Sequence, residues 1–321
     1  MLETHELTVD YPVSGAAFAR LRGRAPVVLR ALDRANIAVA QGGSFGIVGE
    51  SGCGKSTLAR AIVGLVRPTS GSVWLRGREL SSARDRTTRR EIQMIFQDPS
   101  SALNPALSIG RVLTELLTVH GIASGAAARA RCEELMRQVE LPTSILGAFP
   151  RHLSGGQRQR IGIARALALE PSVLIADEAV ASLDVSLQAA VINLLLALQA
   201  QLGLTLIIIS HDLAVVRQAC EEVAVMYLGR VVERGSAEDL FTDPRHPYTR
   251  ALVQAIPQLD RRERNPPLVG EPPSPLDMPA GCAFHTRCPI AEPLRCATSE
   301  PALEGTERHQ AACHFAWGGA G

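Results

Sequence analysis

Gly49-Glu50-Ser51-Gly52-Cys53-Gly54-Lys55-Ser56-Thr57 fits the pattern G-x-x-x-x-G-K-[ST], and the sequence on both sides of it fits as well. Apolar Phe45-Gly46-Ile47-Val48 reads as a strand, and Leu58-Ala59-Arg60-Ala61-Ile62-Val63 as the helix that follows. Strand, glycine-rich turn and helix in that order place an anion at a helix N-terminus, where unpaired N–H groups and the helix dipole both favour negative charge. Gly49, Gly52 and Gly54 let the backbone of the loop, Ser51 and Cys53 included, turn its N–H groups inward. Lys55 can supply a point charge to the outer phosphates, and the Ser56 hydroxyl, beside Thr57, can hold magnesium. The bland alternative is a strand-to-helix turn that binds nothing, and the register of all three pieces weighs against it.

A chain of 321 residues, 46% of them hydrophobic, can bury a full core and accommodate two domains. Its 33 basic residues nearly cancel 32 acidic ones, so the strongly positive field of a nucleic-acid binder is missing and no such partner is expected. Residues 1–7 carry neither a basic n-region nor an apolar h-region. The segment from Val191 to Ile209 is interrupted by Asn193, Gln199, Gln201 and Gly203, which predicts a helix, a turn and the buried strand Leu204–Ile209 rather than a membrane span. A cytosolic chain is expected, reaching a membrane only through a partner, and its seven cysteines then point away from disulfides.

Upstream of the loop, Leu7 to Tyr11 alternates as a strand, and Tyr11 at its end is placed either to stack on a base or simply to pack. Arg20, Arg22 and Arg24 read as a solvated hairpin tip. Downstream, Glu91 to Phe96 is an apolar strand with Gln97 at its end, where a neutral amide could touch magnesium and a γ-phosphate. Residues 98–152 form a helical insertion, with helices expected at Ile109–Val119 and Ala126–Val139. Leu153-Ser154-Gly155-Gly156-Gln157 opens the next helix. Ser154 and Gln157 alone make a capping box, but that does not explain two first-turn glycines, each costing about 1 kcal/mol relative to alanine. Paired glycines make sense if their N–H groups approach a second charged ligand, one held by a neighbouring chain. Val173-Leu174-Ile175-Ala176-Asp177-Glu178 is an apolar run closed by two carboxylates: Asp177 can aim at magnesium, and Glu178 can orient or deprotonate a water. Ser182-Leu183-Asp184 begins another helix and could serve a subunit contact, while His211, after the strand ending at Ile209, could reach a γ-phosphate or be satisfied structurally.

In this order the residues closely resemble the ATP-binding cassette family. Tyr11 matches its A-loop, Gly49 to Thr57 the P-loop, Gln97 the Q-loop, Ser154 to Gln157 the signature, Val173 to Glu178 Walker B, Ser182 to Asp184 the D-loop and His211 the switch histidine. The resemblance implies an α/β P-loop NTPase fold with a helical subdomain, ATP and Mg2+ as cofactors, and two cassettes that sandwich two nucleotides. Lys55, Glu178 and His211 would be catalytic, and Ser56, Gln97 and Asp177 would serve magnesium. Ile95 to Pro105 and Arg245-His246-Pro247-Tyr248-Thr249 resemble the ATPases of dipeptide and oligopeptide importers, nearest the F-type subunit that pairs with a D-type one. Implied partners are therefore a D-type homologue or a second copy, two transmembrane permease subunits and an extracytoplasmic solute-binding protein, with this chain peripheral on the cytoplasmic face of the membrane. Ala179 departs from the family, whose members generally have proline there, which bears on loop stiffness more than on catalysis. Nickel or glutathione import remains an alternative. A DNA-associated ATPase of the same superfamily is disfavoured by the lack of a long coiled coil between Gln97 and Leu153, and a scaffold without turnover by the intact Asp177, Glu178 and His211.

The cassette is expected to span residues 1–240 and a C-terminal region 241–321. Within the latter, Asn265 to Pro279 is proline-rich, a poor setting for a packed core. Cys282, Cys288, Cys296 and Cys313 follow it. By spacing they lack the C-x2-C pairs of zinc modules, and scattered thiols or a zinc site with His285, His309 or His314 stay open. The resemblance to peptide-importer ATPases implies a four-iron four-sulfur cluster on the four thiols, with Cys53, Cys132 and Cys220 as bystanders.

Overall fold

The computed structural model describes residues 1–13, 28–98, 103–179, 184–256 and 270–317. Arg20, Arg22, Arg24, Ser182, Leu183 and residues 265–269 of the proline-rich stretch lie outside the described residues. The chain begins with β1 (Leu2–Pro12), β2 (Val28–Val39), β3 (Ser44–Val48), α1 (Lys55–Val63), β4 (Ser70–Leu75), β5 (Arg78–Glu79), α2 (Arg86–Glu91) and β6 (Ile92–Ile95). Its middle holds α3 (Ile109–Val119), α4 (Gly125–Gln138), α5 (Gly155–Leu167), β7 (Val173–Asp177), α6 (Val185–Leu202) and β8 (Thr205–Ser210). It continues with α7 (Leu213–Ala219), β9 (Glu222–Tyr227), β10 (Arg230–Ser236), α8 (Ala237–Thr242), α9 (Pro247–Gln254), α10 (Pro293–Thr298), β11 (Glu304–Gly305) and β12 (His309–Ala311).

Two compact units divide these elements, the first comprising Met1–Val39, Phe45–Leu80 and Ser210–Gly321, the second Ala40–Ser44 and Ser81–Ile209. In the first, an antiparallel sheet runs in the order β2-β1-β4-β5, with Leu2 opposite both Val39 and Leu75. A second ladder pairs β3 in parallel with β9, placing Ile47 opposite Ala224, and adds β10 antiparallel to β9. Every residue of β3 is buried, as a parallel strand covered on both faces requires. Helix α1 buries Leu58, Ala59, Ala61 and Ile62 and ends at Gly64, whose φ of 87° turns its N–H back to the carbonyls of Arg60 and Ala61. Burying Leu58 and Ile62 completely contributes about 1.5–3 kcal/mol each.

The second unit holds the parallel strands β8, β7 and β6 side by side, with Ile95 opposite Ala176 and Ala176 opposite Ile208. All of Val173–Asp177 and Thr205–Ser210 is buried. The expected turn after the apolar helix is Gly203, at φ 65°, which stops α6 and leads into β8. Helix α3 has the expected bounds, and α4 begins and ends one residue before its expected limits. Among the described residues no helix is long and apolar enough to cross a membrane.

Residues 270–279 form turns without regular elements. Beyond them the chain packs more firmly than its composition suggests. Strand β12 joins the ladder of the first unit antiparallel to β10, with Ala311 opposite Glu233. Glu233 is fully buried, accepts from the backbone N–H groups of Arg245 (2.7 Å) and His246 (2.9 Å), and pairs with His309 Nε2 at 2.7 Å. Glu300 bridges Arg34 (2.6 Å) and Arg230 (2.8 Å). Phe284 closes an aromatic cluster with Tyr227 and Tyr248, the ring centroids 4.8 to 5.4 Å apart.

Candidate functional site

The first unit carries Tyr11, the glycine-rich loop and His211. Gly49 leaves β3 at φ 151°, and a Cβ there would stand 2.2 Å from the carbonyl oxygen of Met226. Gly54 caps α1 at φ 106°, where a Cβ would meet the Ala31 oxygen at 2.5 Å. Both glycines thus allow a backbone path and a close approach that no side chain permits. Gly54, at the N-cap of α1, has no side chain to cap the first-turn N–H groups. Lys55 is only 4% exposed, and its Nζ donates to the carbonyls of Gly49 (2.8 Å) and Glu50 (3.0 Å). The ammonium is therefore held over the loop by the loop's own carbonyls, where an anion would meet a fixed positive charge.

Ser56 and Thr57 are half-buried on the same turn, and Ser51 and Gly52 are exposed at the crest of the loop. Cys53 is buried beneath it, its thiol pushed upward by desolvation and partly offset by Lys55. Tyr11 is half-buried at the end of β1, opposite Leu29, so its ring is not enclosed in the core. His211 is exposed at the turn between β8 and α7, next to Ser210 Oγ, which accepts from the Asp212 N–H at 2.9 Å.

The second unit carries Gln97, Asp177, Glu178, the glycine pair and Asp184. Asp177 is buried at the end of β7. Glu178 follows at φ 46°, a left-handed conformation that costs a non-glycine residue roughly 1–2 kcal/mol, and its N–H donates to the Ile209 carbonyl at 2.9 Å. Gln97 Nε2 donates to Glu178 Oε2 at 2.8 Å. Parallel pairing of β6 with β7 brings the two strand ends together. An amide that grips one oxygen of a carboxylate fixes the orientation of the group, as a general base needs.

Ser154 and Gln157 form the capping box: Ser154 Oγ accepts from the Gln157 N–H (3.2 Å), and Gln157 Oε1 accepts from the Ser154 N–H (3.0 Å). The bland reading of this pair is thus realised, yet the Ser154 hydroxyl proton stays available to a ligand, and Ser154 and Gly155 are exposed. Asp184 caps α6, accepting from the Leu187 N–H (3.0 Å) and from Ser186 Oγ (2.8 Å), contacts that hold its carboxyl below the usual range.

Sequence reasoning missed the groups that brace the loop. The Glu50 N–H donates to the hydroxyl of the buried Tyr248 at 2.8 Å, and the Glu50 carboxylate accepts both arms of Arg287, at 2.8 and 3.0 Å. Only Arg245-His246-Pro247-Tyr248-Thr249, singled out as a family likeness, offered a signal for Tyr248.

The four C-terminal cysteines are free thiols, Cys296 buried and Cys282, Cys288 and Cys313 half-buried. Burial pushes Cys282 up to about 11, and the charges of Cys296, Cys313 and Cys288 add to it. Cys288 and Cys313 are raised in the same way, by burial first and then by fellow cysteines. The histidines of the zinc alternative are engaged elsewhere: His285 with the Cys282 carbonyl, His309 with Glu233 and His314 with the Ser299 carbonyl. Among the described residues no group of three or more His, Cys, Asp or Glu is arranged to hold a metal ion. Cys53, Cys132 and Cys220 are buried, Cys220 pushed up to about 12 by burial.

The family profile described as "ABC transporter" matches residues 32–181, and that described as "Oligopeptide/dipeptide transporter, C-terminal region" matches residues 232–296. The oligopeptide transport ATP-binding protein OppF of Escherichia coli is 49% identical over 296 residues, covering 90% of this chain and 88% of that protein. A probable peptide ABC transporter ATP-binding protein, y4tS of Sinorhizobium fredii, is 46% identical over 319 residues, 98% of this chain and 89% of its own. Among solved structures, the dimeric post-hydrolysis state of the ATP-binding cassette MJ0796 bound to ADP and Pi aligns with a TM-score of 0.64 at 29% identity, covering 74% of this chain and 99% of that one. The cbiO1 protein of Clostridium perfringens, part of the ABC transporter complex cbiONQ, aligns with the same TM-score at 30% identity, covering 75% and 90%.

Proposed function

The chain belongs to the ATP-binding cassette family of ABC transporters, with the P-loop NTPase fold of that family, and from this we propose that it is the ATP-hydrolysing subunit of a di- or oligopeptide importer. The observation that carries the enzymatic part is the pair Gln97–Glu178, a carboxylate oriented by an amide one residue beyond buried Asp177. In this reading the loop N–H groups and Lys55 hold the phosphates of ATP, and Tyr11 stacks on its base. Ser56, Asp177 and Gln97 serve Mg2+, which neutralises charge on the phosphates when bound. Glu178 orients the attacking water and takes its proton, and His211 contacts the γ-phosphate. Phosphoryl transfer needs mainly positioning and charge neutralisation, which these groups supply.

Ser154, Gly155, Gly156 and Gln157 then address the nucleotide of a facing cassette, a D-type homologue or a second copy, and Ser182, Leu183 and Asp184 belong to that contact. The remaining partners are two transmembrane permeases and an extracytoplasmic solute-binding protein, with this chain peripheral at the cytoplasmic side. The cassette proper is taken as residues 1–240 and the C-terminal region as 241–321. Reconstituting the purified assembly with its binding protein tests the solute: oligopeptides are expected to raise ATP turnover severalfold, and stimulation by nickel or glutathione alone would replace peptide in the assignment.

A four-iron four-sulfur cluster on Cys282, Cys288, Cys296 and Cys313 is part of the same reading. It is supported by an all-thiol donor set in which burial and neighbouring cysteines raise Cys282, Cys288 and Cys313, and by histidines engaged elsewhere. A bound cluster would supply the positive iron that stabilises these thiolates. Anaerobically purified protein is expected to carry about four iron and four sulfide per chain and to lose both when Cys282 and Cys296 become serine. Protein with neither iron nor broad visible absorbance would remove the cluster.

A further inference from the structure

Glu50, the second residue of the phosphate loop, is held from three directions within the first unit. Its N–H donates to Tyr248, its carbonyl accepts Lys55 Nζ at 3.0 Å, and its carboxylate receives the guanidinium fork of Arg287. Arg287 itself has little freedom: its side chain is 4% exposed and its guanidinium lies 5.9 Å from the Tyr227 ring centroid. Tyr227 in turn packs on Tyr248 and Phe284. A planar fork fixed at two points transmits position better than a single contact, because both translation and rotation of the carboxylate are constrained. The carbonyl on which Lys55 rests therefore belongs to a residue whose other end is clamped by the C-terminal region.

We infer that Arg287 is a positioning residue for nucleotide binding, acting through Glu50 on the Lys55 ammonium and the phosphate loop. This rests on the nucleotide-binding reading of that loop and adds a contributor from outside the cassette motifs. The competing explanation is a buried ion pair that merely docks the C-terminal region. That docking has independent ties, namely the β12–β10 pairing, His309–Glu233 and the bridges of Glu300 to Arg34 and Arg230. Loss of Arg287 should consequently leave the region docked while loosening the loop.

The test measures Mg-ATP affinity and thermal unfolding on the full chain for Arg287→Met, Arg287→Lys, Glu50→Gln and the double variant Arg287→Met/Glu50→Gln. Arg287→Met is expected to weaken ATP about tenfold, Arg287→Lys to recover part of that, and the double variant to be no worse than Arg287→Met alone, the mark of two groups acting as one. Arg34→Met, which cuts one of the Glu300 docking bridges and touches neither Glu50 nor Arg287, is expected to leave ATP affinity unchanged. If Arg287→Met does not fold, Arg287→Lys carries the test with an expected loss of about threefold, since it keeps the charge and forfeits the second arm. Affinity within twofold of the parent chain for the folded Arg287 variants, or losses that multiply in the double variant, would overturn the inference. Lys55→Met separates the two levels: should it too leave affinity unchanged, the nucleotide reading of the loop fails first.

Discussion

Glu178→Gln is expected to lower steady-state ATP hydrolysis by about a hundredfold to ten-thousandfold, the range over which a positioned general base contributes, while ATP binding is retained. The structure makes this substitution a clean one. Glu178 Oε2 accepts from Gln97 Nε2, and a glutamine at 178 offers its amide oxygen at the same place, so the contact at 2.8 Å persists. The side chain keeps its volume, and its N–H bond to the Ile209 carbonyl, which fixes the left-handed turn, does not involve the changed atoms. What is lost is the negative charge and the capacity to take a proton from water. With chemistry blocked and binding intact, two cassettes should accumulate as a closed, ATP-bound pair, detectable by light scattering and by nucleotide retained after gel filtration. Glu178→Ala, which also removes the acceptor for Gln97, is expected to abolish hydrolysis as fully but to trap the pair less well. Turnover at the parent rate in the glutamine variant would take the role of base away from Glu178.

Lys55→Met is expected to weaken Mg-ATP binding at least tenfold and to bring hydrolysis below detection. A hydrogen bond to a charged group contributes about 1.5–3 kcal/mol, and each 1.4 kcal/mol is a factor of ten in affinity. Methionine preserves most of the buried stem, so the loss is concentrated in the ammonium. Lys55 also has a structural task, because its Nζ satisfies the carbonyls of Gly49 and Glu50. Some loss of thermal stability should therefore accompany the loss of affinity. Comparing melting with and without Mg-ATP separates the two: the parent chain gains stability from nucleotide and the variant gains little. A variant that binds ATP within twofold of the parent would mean that the nucleotide is not held at this loop.

Much of the fold was legible because its signals are local. The strands β7 and β8 announced themselves as continuous apolar runs, the turn at Gly203 as a glycine between a helical and a strand pattern, and α3 by apolar residues at helical spacing. The capping box of Ser154 and Gln157 was equally readable, since both partners lie within one helical turn. Proline content was a poorer guide to the C-terminal region. Residues 270–279 are irregular as composition suggests, but beyond them Phe284 and Arg287 are buried against aromatic and charged partners, and His309 joins through pairing of β12 with β10.

The amino-acid order alone determined the strand, glycine turn, lysine and helix N-terminus on which the phosphate proposal rests, because they form one short continuous piece of chain whose conformation follows from its own residues. Gln97 and Glu178 were each marked as candidates by their place at a strand end, but only the parallel register of β6 on β7 brought their side chains to 2.8 Å. The brace on the loop was decided by tertiary structure alone: Arg287 and Glu50 stand 237 positions apart, and a contact over that separation depends on sheet order and side-chain burial, which no local pattern encodes.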